Sequence, residues 1–245
     1  MKKYNDDDLI AKNIIEKASY IFDGVFYSDF LDPGIQRKIS TTLDKMKVDH
    51  IFFGGYEDAE RKILITGINN DDEKVPPIDL LLIENANGLT HRDILGSLLS
   101  TGIKRNVLGD IIVDEKNAYV FAKSNFSGYI DSNLEKIKSK YPVIRILRPG
   151  EVSLPEKRVA KKVFVISSTR LDNVISKVCS ISRNESSALI KKGLVKLNHE
   201  VIEKPTVAVT ENTLISIRGH GRYLISCMNG LTNKGNHKVE IQKYL

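Results

Sequence analysis

Across residues 78–149 the apolar residues change period in a fixed order, and that order constrains the fold more than any other feature of the chain. Ile78–Glu84 is a short, nearly continuous apolar run of strand length. Thr90 can cap a helix, with Asp93 three residues on to close the box. Ile94, Leu95, Leu98 and Leu99 form that helix's apolar face, and Gly102 is a natural stop. Gly109-Asp110 leads into a strand at 111–113. A turn at 114–117 leads to a second strand at 118–122. A second helix is expected over 127–140, with Ile130, Leu134 and Ile137 inward, and Val143–Leu147 reads as the last strand. The order β-α-β-β-α-β predicts a ferredoxin-like or RRM-like sheet.

The flanking segments follow different rules. Residues 5–30 and 34–47 read as helices separated by Asp32-Pro33-Gly34, with Ile10, Ile14, Ile15, Ala18, Ile21 and Phe22 at helical spacing. Strands are expected at 48–53 and 62–68, joined by a turn containing Gly54-Gly55. The acidic, proline-containing stretch 69–77 reads as a linker. Pro149-Gly150 and Pro155 mark the next boundary. The expected class is α+β, in three parts: a helical segment with a β-hairpin (1–75), an RRM/ferredoxin-like domain (76–150) and a small C-terminal domain with an extension (160–245).

Charge is divided unevenly. From residue 157 onward 16 Lys and Arg stand against 6 Asp and Glu, whereas the preceding residues carry 21 against 25. A basic block on a mildly acidic body points to a polyanionic partner. The pattern within the block narrows the choice. Leu171, Val174, Ile175 and Val178 define one helix opened by Arg170. Ser182 and Glu185 have capping-box spacing at the start of the next. Arg183, Ser187 and Lys191 recur every four residues and share a face. Gly193 ends that helix, and a tight hairpin is expected around Asn198-His199. Residues from Pro205 to Ile217 should complete a small sheet, which 218–222 then leaves.

Helix starts carry free amides and partial positive charge, which favour phosphate. Two such starts flanked by cations can grip an RNA backbone by shape, the usual mode for duplex RNA. Arg170, Arg183, Lys191, Lys192, Lys196 and Arg218 are therefore the expected phosphate contacts. Ser182 and Ser187 are expected to hydrogen-bond the backbone, with Asn198 and Arg222 at the same surface. A secondary RNA contact is expected at His91, Arg92, Lys104 and Arg105, which bracket one helix of the acidic half.

These residues resemble a known module. Arg170-Leu171-Asp172, Ser182-Arg183 with Ala188-Leu189-Ile190, residues 192–198 and Pro205 look like the S4-type (alpha-L) RNA-binding domain. Two turns depart from its pattern: Asn198-His199 stands where Asn-Gly is common, and Glu211-Asn212 where Gly-Asp is common. Phe30-Leu31-Asp32-Pro33, the run Gly54 to Arg61, the run Leu89 to Gly96, Gly102-Ile103-Lys104-Arg105 and Leu108-Gly109-Asp110-Ile111 extend the likeness. They resemble the YlmH family of bacterial S4-domain RNA-binding proteins over nearly the whole chain. That resemblance implies a ribosome-associated protein contacting ribosomal RNA and tRNA, on large subunits that still carry peptidyl-tRNA.

Competing chemistries lack their parts. His91-Arg92-Asp93 is a kinase triplet without a Gly-rich loop or Asp-Phe-Gly. Gly54-Gly55-Tyr56 lacks a P-loop lysine. Arg170-Leu171-Asp172 is similar to a pseudouridine-synthase motif, but it opens a helix inside the RNA-binding segment, where Asp172 has a structural part. Cys179 and Cys227 give no metal spacing. No catalytic residue, metal or cofactor is expected. The alternative is an RNA-modifying enzyme, a pseudouridine synthase or methyltransferase delivered by the same domain. The acidic N-terminus and the lack of a run of about 18 apolar residues predict a cytoplasmic protein without a membrane partner. Residues 1–150 are a candidate surface for a protein partner.

Overall fold

The computed structural model describes residues 6–20, 24–67, 75–156, 159–232 and 235–244. Ile21, Phe22, linker residues 69–74 and Lys157-Arg158 lie outside them. The chain forms two compact units, Met1–Pro155 and Glu156–Leu245.

The first unit opens with α1 (Asp6–Ser19), β1 (Phe26–Tyr27), α2 (Pro33–Met46), β2 (His50–Phe53) and β3 (Ile63–Thr66). The helix expected over 5–30 therefore stops at Ser19. Phe26 and Tyr27 instead pair with Thr66 and Ile65, and Ser28 Oγ accepts the Leu64 amide at 2.8 Å. The cause is β3. All four of its residues are buried, so its backbone groups need partners on both edges. The resulting sheet has the order β1-β3-β2. Pro33 starts α2 at a position whose N–H would be unpaired in any case. Ile35, Ile39 and Leu43 form its buried stripe, packed with Ala11 and Ala18 of α1.

The expected β-α-β-β-α-β order follows as β4 (Ile78–Glu84), α3 (His91–Ser100), β5 (Leu108–Val113), β6 (Ala118–Lys123), α4 (Ser124–Asn133) and β7 (Val143–Leu147). The strands pair antiparallel in the order β5-β6-β4-β7, the ferredoxin/RRM arrangement. The Thr90–Asp93 capping box forms as expected. The second helix is shorter than expected, ending at Asn133. Beyond it Ile137 and Lys140 exchange backbone hydrogen bonds of 3.0 Å, and Lys140 Nζ reaches Asn87 O at 2.5 Å. The local turn and the long-range bond of Lys140 override helix propensity, yet Ile130, Leu134 and Ile137 are all buried.

Strand alternation gives the sheet two apolar faces. Leu81, Ile83, Val120 and Ala122 pack under α3 and α4. Leu80, Leu82, Tyr119 and Phe121 pack against Phe30, Ile63 and Ile65 of the N-terminal segment. The Gly54-Gly55 connection is longer than a hairpin turn and lies on this second face. Tyr56 stacks on Phe121 with centroids 5.0 Å apart. Asp110 holds the connection down, accepting the Tyr56 hydroxyl at 2.8 Å and the Glu60 and Arg61 amides at 2.7 and 3.0 Å.

The second unit contains β8 (Val159–Ile166), α5 (Leu171–Cys179), α6 (Arg183–Lys191), β9 (Val195–Leu197), β10 (Glu200–Val201), β11 (Leu214–Ile217), β12 (Gly221–Leu231) and β13 (His237–Tyr244). One sheet of order β10-β9-β11-β12-β13-β8 buries its inner face against both helices. It is larger than expected. Residues 205–209 form no strand of it and instead bridge to Arg170 at Ala208, and 218–222 does not leave the sheet but turns into β12. The hairpin between β9 and β10 forms without glycine. Asn198 and His199 both adopt positive φ, 46° and 72°, as a two-residue primed turn demands. Asn212, at φ 60°, solves the second departure in the same way.

Gly55 combines φ +97° with a Cβ position only 2.4 Å from the Phe121 ring. Gly55→Ala is expected to destabilise the first unit by about 2 kcal/mol or more, from backbone strain and overpacking together. Urea unfolding should show a lower midpoint with the slope retained. An unchanged midpoint would mean that the ring moves aside at little cost.

Candidate nucleic-acid interface

The helix pair of the second unit is organised by one buried carboxylate. Asp172 is 4% exposed in the first turn of α5. It accepts from Arg170 Nε at 3.1 Å and Nη2 at 2.7 Å, and from Arg183 Nη2 at 3.5 Å. A bidentate guanidinium–carboxylate pair fixes orientation as well as position. The arginine side chains remain 43% and 53% exposed. Two cations are thus aimed outward by a single anion beneath them. The hydrogen bond from Arg170 holds the Asp172 carboxyl below the usual carboxylate range, reinforced by the charges of Arg170 and Arg183.

Local chemistry sets the two helix starts differently. Ser182 Oγ accepts the Glu185 amide at 3.1 Å, while Glu185 Oε2 accepts the Ser182 amide at 2.8 Å. That amide pulls the Glu185 carboxyl down. The start of α5 is closed. The Leu171 and Asp172 amides donate to Val207 O at 2.8 Å and Pro205 O at 3.1 Å. The expectation of two open helix starts therefore narrows to α6. At α5 the side chain of Arg170, rather than the backbone, is offered. Ser186, wholly buried, donates its hydroxyl to Asp172 O at 2.7 Å and pins α6 across α5.

Arg183, half-buried Ser187 and exposed Lys191 lie along α6, with exposed Lys192 as its C-cap. At 1.5 Å per residue, Arg183 and Lys191 are about 12 Å apart along the axis. The Gly193 amide closes the helix on Ile190 O at 2.9 Å. Arg218 is drawn to this end because its amide donates to Leu194 O at 3.0 Å. Arg170, Ser182, Arg183, Ser187, Lys191 and Lys192 thus belong to the helix pair, with Arg218 at its rim. Lys196 and Arg222 do not join them. Their strand neighbours Val195 and Tyr223 point into the core, so both face away from the helices. Asn198 has a turn-building part, its Oδ1 accepting the Leu214 amide at 2.8 Å.

In the first unit the secondary candidates separate. Arg105 turns inward, donating to Leu108 O at 2.7 Å and Gly109 O at 3.0 Å. Burial, and then the charge of Arg61, bring its pKa down to about 10. Buried Arg61 pairs with Asp32 and donates to Leu108 O at 2.9 Å. The His91 imidazole is held below its ordinary range, by desolvation first and by Arg105 second. His91, Arg92 and Lys104 are exposed. RRM sheets bind RNA through aromatic residues on the open face. Here Tyr119 and Phe121, 6% and 1% exposed, lie beneath the N-terminal segment. Bases cannot stack there without displacing it.

Among the described residues no group of three or more His, Cys, Asp or Glu could hold a metal ion. None of the described helices is long and apolar enough to cross a membrane. Sequence reading missed Ser186 and the joint hold of Asp172 on two arginines. The Arg170-x-Asp172 spacing signals the first of those pairings; nothing local signals Arg183, eleven positions on.

Asp172→Asn should cost the second unit about 1–2 kcal/mol at neutral pH, since it removes a charge-assisted acceptor from two half-exposed donors. The native carboxyl is depressed. Its contribution is present above the unfolded carboxylate pKa, about 3.9, and lost as pH falls through the folded value. Thermal unfolding from pH 7 to pH 2.5 should show the two proteins converging at the acid end. Parallel curves would remove Asp172 from this role.

Residues 80–145 match the family model "Putative RNA-binding domain in YlmH", and residues 169–215 match the S4 domain. The chain is 30% identical over 221 residues to "Ribosome-associated protein quality control protein P2" of Bacillus subtilis (strain 168), covering 88% of this chain and 86% of that protein. A solved structure, "Cell division protein ylmH from Streptococcus pneumoniae", shares the fold with a TM-score of 0.52 at 18% identity, covering 60% of this chain and 94% of that one. With that extent of likeness, and an S4 domain whose two helices hold an arginine pair on one buried aspartate, the chain belongs to the YlmH family of S4-domain RNA-binding proteins.

Proposed function

We propose that this chain is a non-catalytic RNA-binding protein that acts in the cytoplasm on ribosomal particles, on large subunits carrying peptidyl-tRNA. The observation that carries the RNA reading is the arrangement of Arg170 and Arg183, which the buried Asp172 orients toward solvent beside the capped start of α6. Ser187 and Lys191 continue the same strip of α6, and Lys192 stands at its C-cap. A guanidinium that gives two N–H groups to Asp172 retains three for phosphate oxygens. Such a row positions RNA by its backbone rather than by base sequence, which suits a fixed helix of a large RNA. The ribosomal setting is supported by the relative named as a ribosome-associated quality control protein. The non-catalytic reading is supported by the matched RNA-binding domains and by Asp172 serving to hold Arg170 and Arg183.

Binding to purified large ribosomal subunits, measured across 50–300 mM salt, tests this reading. With about five phosphate contacts, log affinity should fall against log salt with a slope of roughly −3.5 to −4.5. Arg183→Ala should weaken binding about three- to tenfold and shallow the slope by about 0.7–0.9. A folded Arg183→Ala protein with unchanged affinity and slope would refute the assignment. Mapping rRNA nucleotides by mass spectrometry after incubation checks the other half: a new modification would make the protein an enzyme.

A further inference from the structure

The outer face of the C-terminal sheet, turned away from α5 and α6, carries a basic and aromatic row of its own. Strand register sets Lys196 of β9 opposite Ser216 of β11, and Ser216 opposite Arg222 of β12. Directly paired residues share a face, and strands lie about 4.8 Å apart, so Lys196 and Arg222 are about 10 Å apart across the sheet. The Arg222 guanidinium then lies over the Tyr244 ring of β13, 5.2 Å from its centroid. The next row runs Leu214, Leu224, Gln242 and Lys161. Glu240, an acid on this side, stands two rows from Tyr244 and accepts from Ser226 Oγ at 2.8 Å. Beside the row a depression of about 500 Å³ is lined by Gly193, Lys196, Ser216, Arg218 and Arg222, among others. Its wall at Gly193 and Arg218 is the distal end of α6, where Lys191 and Lys192 stand.

We propose that this face binds a single-stranded RNA segment, one base stacking on the Arg222–Tyr244 pair while Lys196 and Arg218 take the adjoining phosphates. The chemistry is that of a single-strand platform: a π surface for any base, and cations spaced beside it. The depression at the end of α6 joins this platform to the helix pair. An RNA whose duplex lies on Arg183 and Lys191 can pass its unpaired end around Gly193 onto the sheet. Tyr244 and β13 belong to the strands that enlarge the sheet beyond residues 169–215, so the platform adds a single-strand contact to the S4 module. The inference rests on the RNA-binding reading of the helix pair only for the direction from which the strand arrives.

The test uses the full chain and two RNAs: a blunt hairpin, and the same hairpin with a ten-nucleotide unpaired 3′ tail. The tail is expected to raise affinity at least fivefold, the effect of stacking about one base. Tyr244→Ala should abolish that increment with blunt-hairpin affinity intact, and Tyr244→Phe should preserve it. Lys196→Ala, on a different strand, should also reduce the increment, which guards against a folding defect at Tyr244. A 5-iodouridine in the tail should crosslink to Tyr244. A tail without effect, or an increment that survives Tyr244→Ala, overturns the platform. Loss of blunt-hairpin binding in Arg183→Ala is a separate readout, so the helix-pair reading and the platform stand or fall independently.

Discussion

A carboxylate removed from water demands compensating donors, and in this chain that demand shapes the binding surface. Asp172 sits in the first turn of α5 with almost no exposure, and Arg170 and Arg183 satisfy it. Helix α6 must therefore begin beside α5, and Ser186 secures the crossing through Asp172 O. The arginines gain a defined orientation without losing access to solvent. Asp110 does comparable work in the first unit, drawing Tyr56 and the amides of Glu60 and Arg61 onto the edge of β5. There the product is a covered apolar face, because the acid's donors are the Tyr56 hydroxyl and backbone amides rather than exposed guanidinium groups.

That covered face separates fold from function. A ferredoxin-like sheet with Tyr119 and Phe121 on its central strand has the outline of an RNA-binding platform. Both rings are instead core residues, enclosed by Phe30, Ile63, Ile65 and Tyr56. Fold alone does not license function, and here the burial of two side chains closes this sheet face to stacked bases. In the other unit Tyr244 stands beside a cation, Arg222, on the outer face of the sheet.

Legibility varied with the range of the interactions involved. The β-α-β-β-α-β order was readable because each element declares its own period, and the Thr90–Asp93 and Ser182–Glu185 boxes because capping is local. Phe26 and Tyr27 leave the helix expected over 5–30 because they answer to β3, some forty residues away. The helix over 127–140 was overrun because Lys140 finds its acceptors at Asn85 and Asn87. Of the candidate RNA contacts, those on α6 share a face because four-residue spacing guarantees it. Charge alone groups Lys196 and Arg222 with them, and strand alternation sends both to the opposite side.

The basic C-terminal segment with a capped, cationic helix start is therefore a property of the sequence by itself. Helix caps, apolar periods and charge are all written within a few residues of one another, and they determined the S4-like module, its α6 strip and the ferredoxin-like order. Tertiary structure alone decided that Asp172 joins arginines from two helices, that α5 offers a side chain rather than an open start, and that β13 returns to β8 to carry Tyr244 under Arg222. The physical reason is common to all three. Burial, register and the satisfaction of backbone groups depend on which distant segment lies alongside, and local sequence does not name that neighbour.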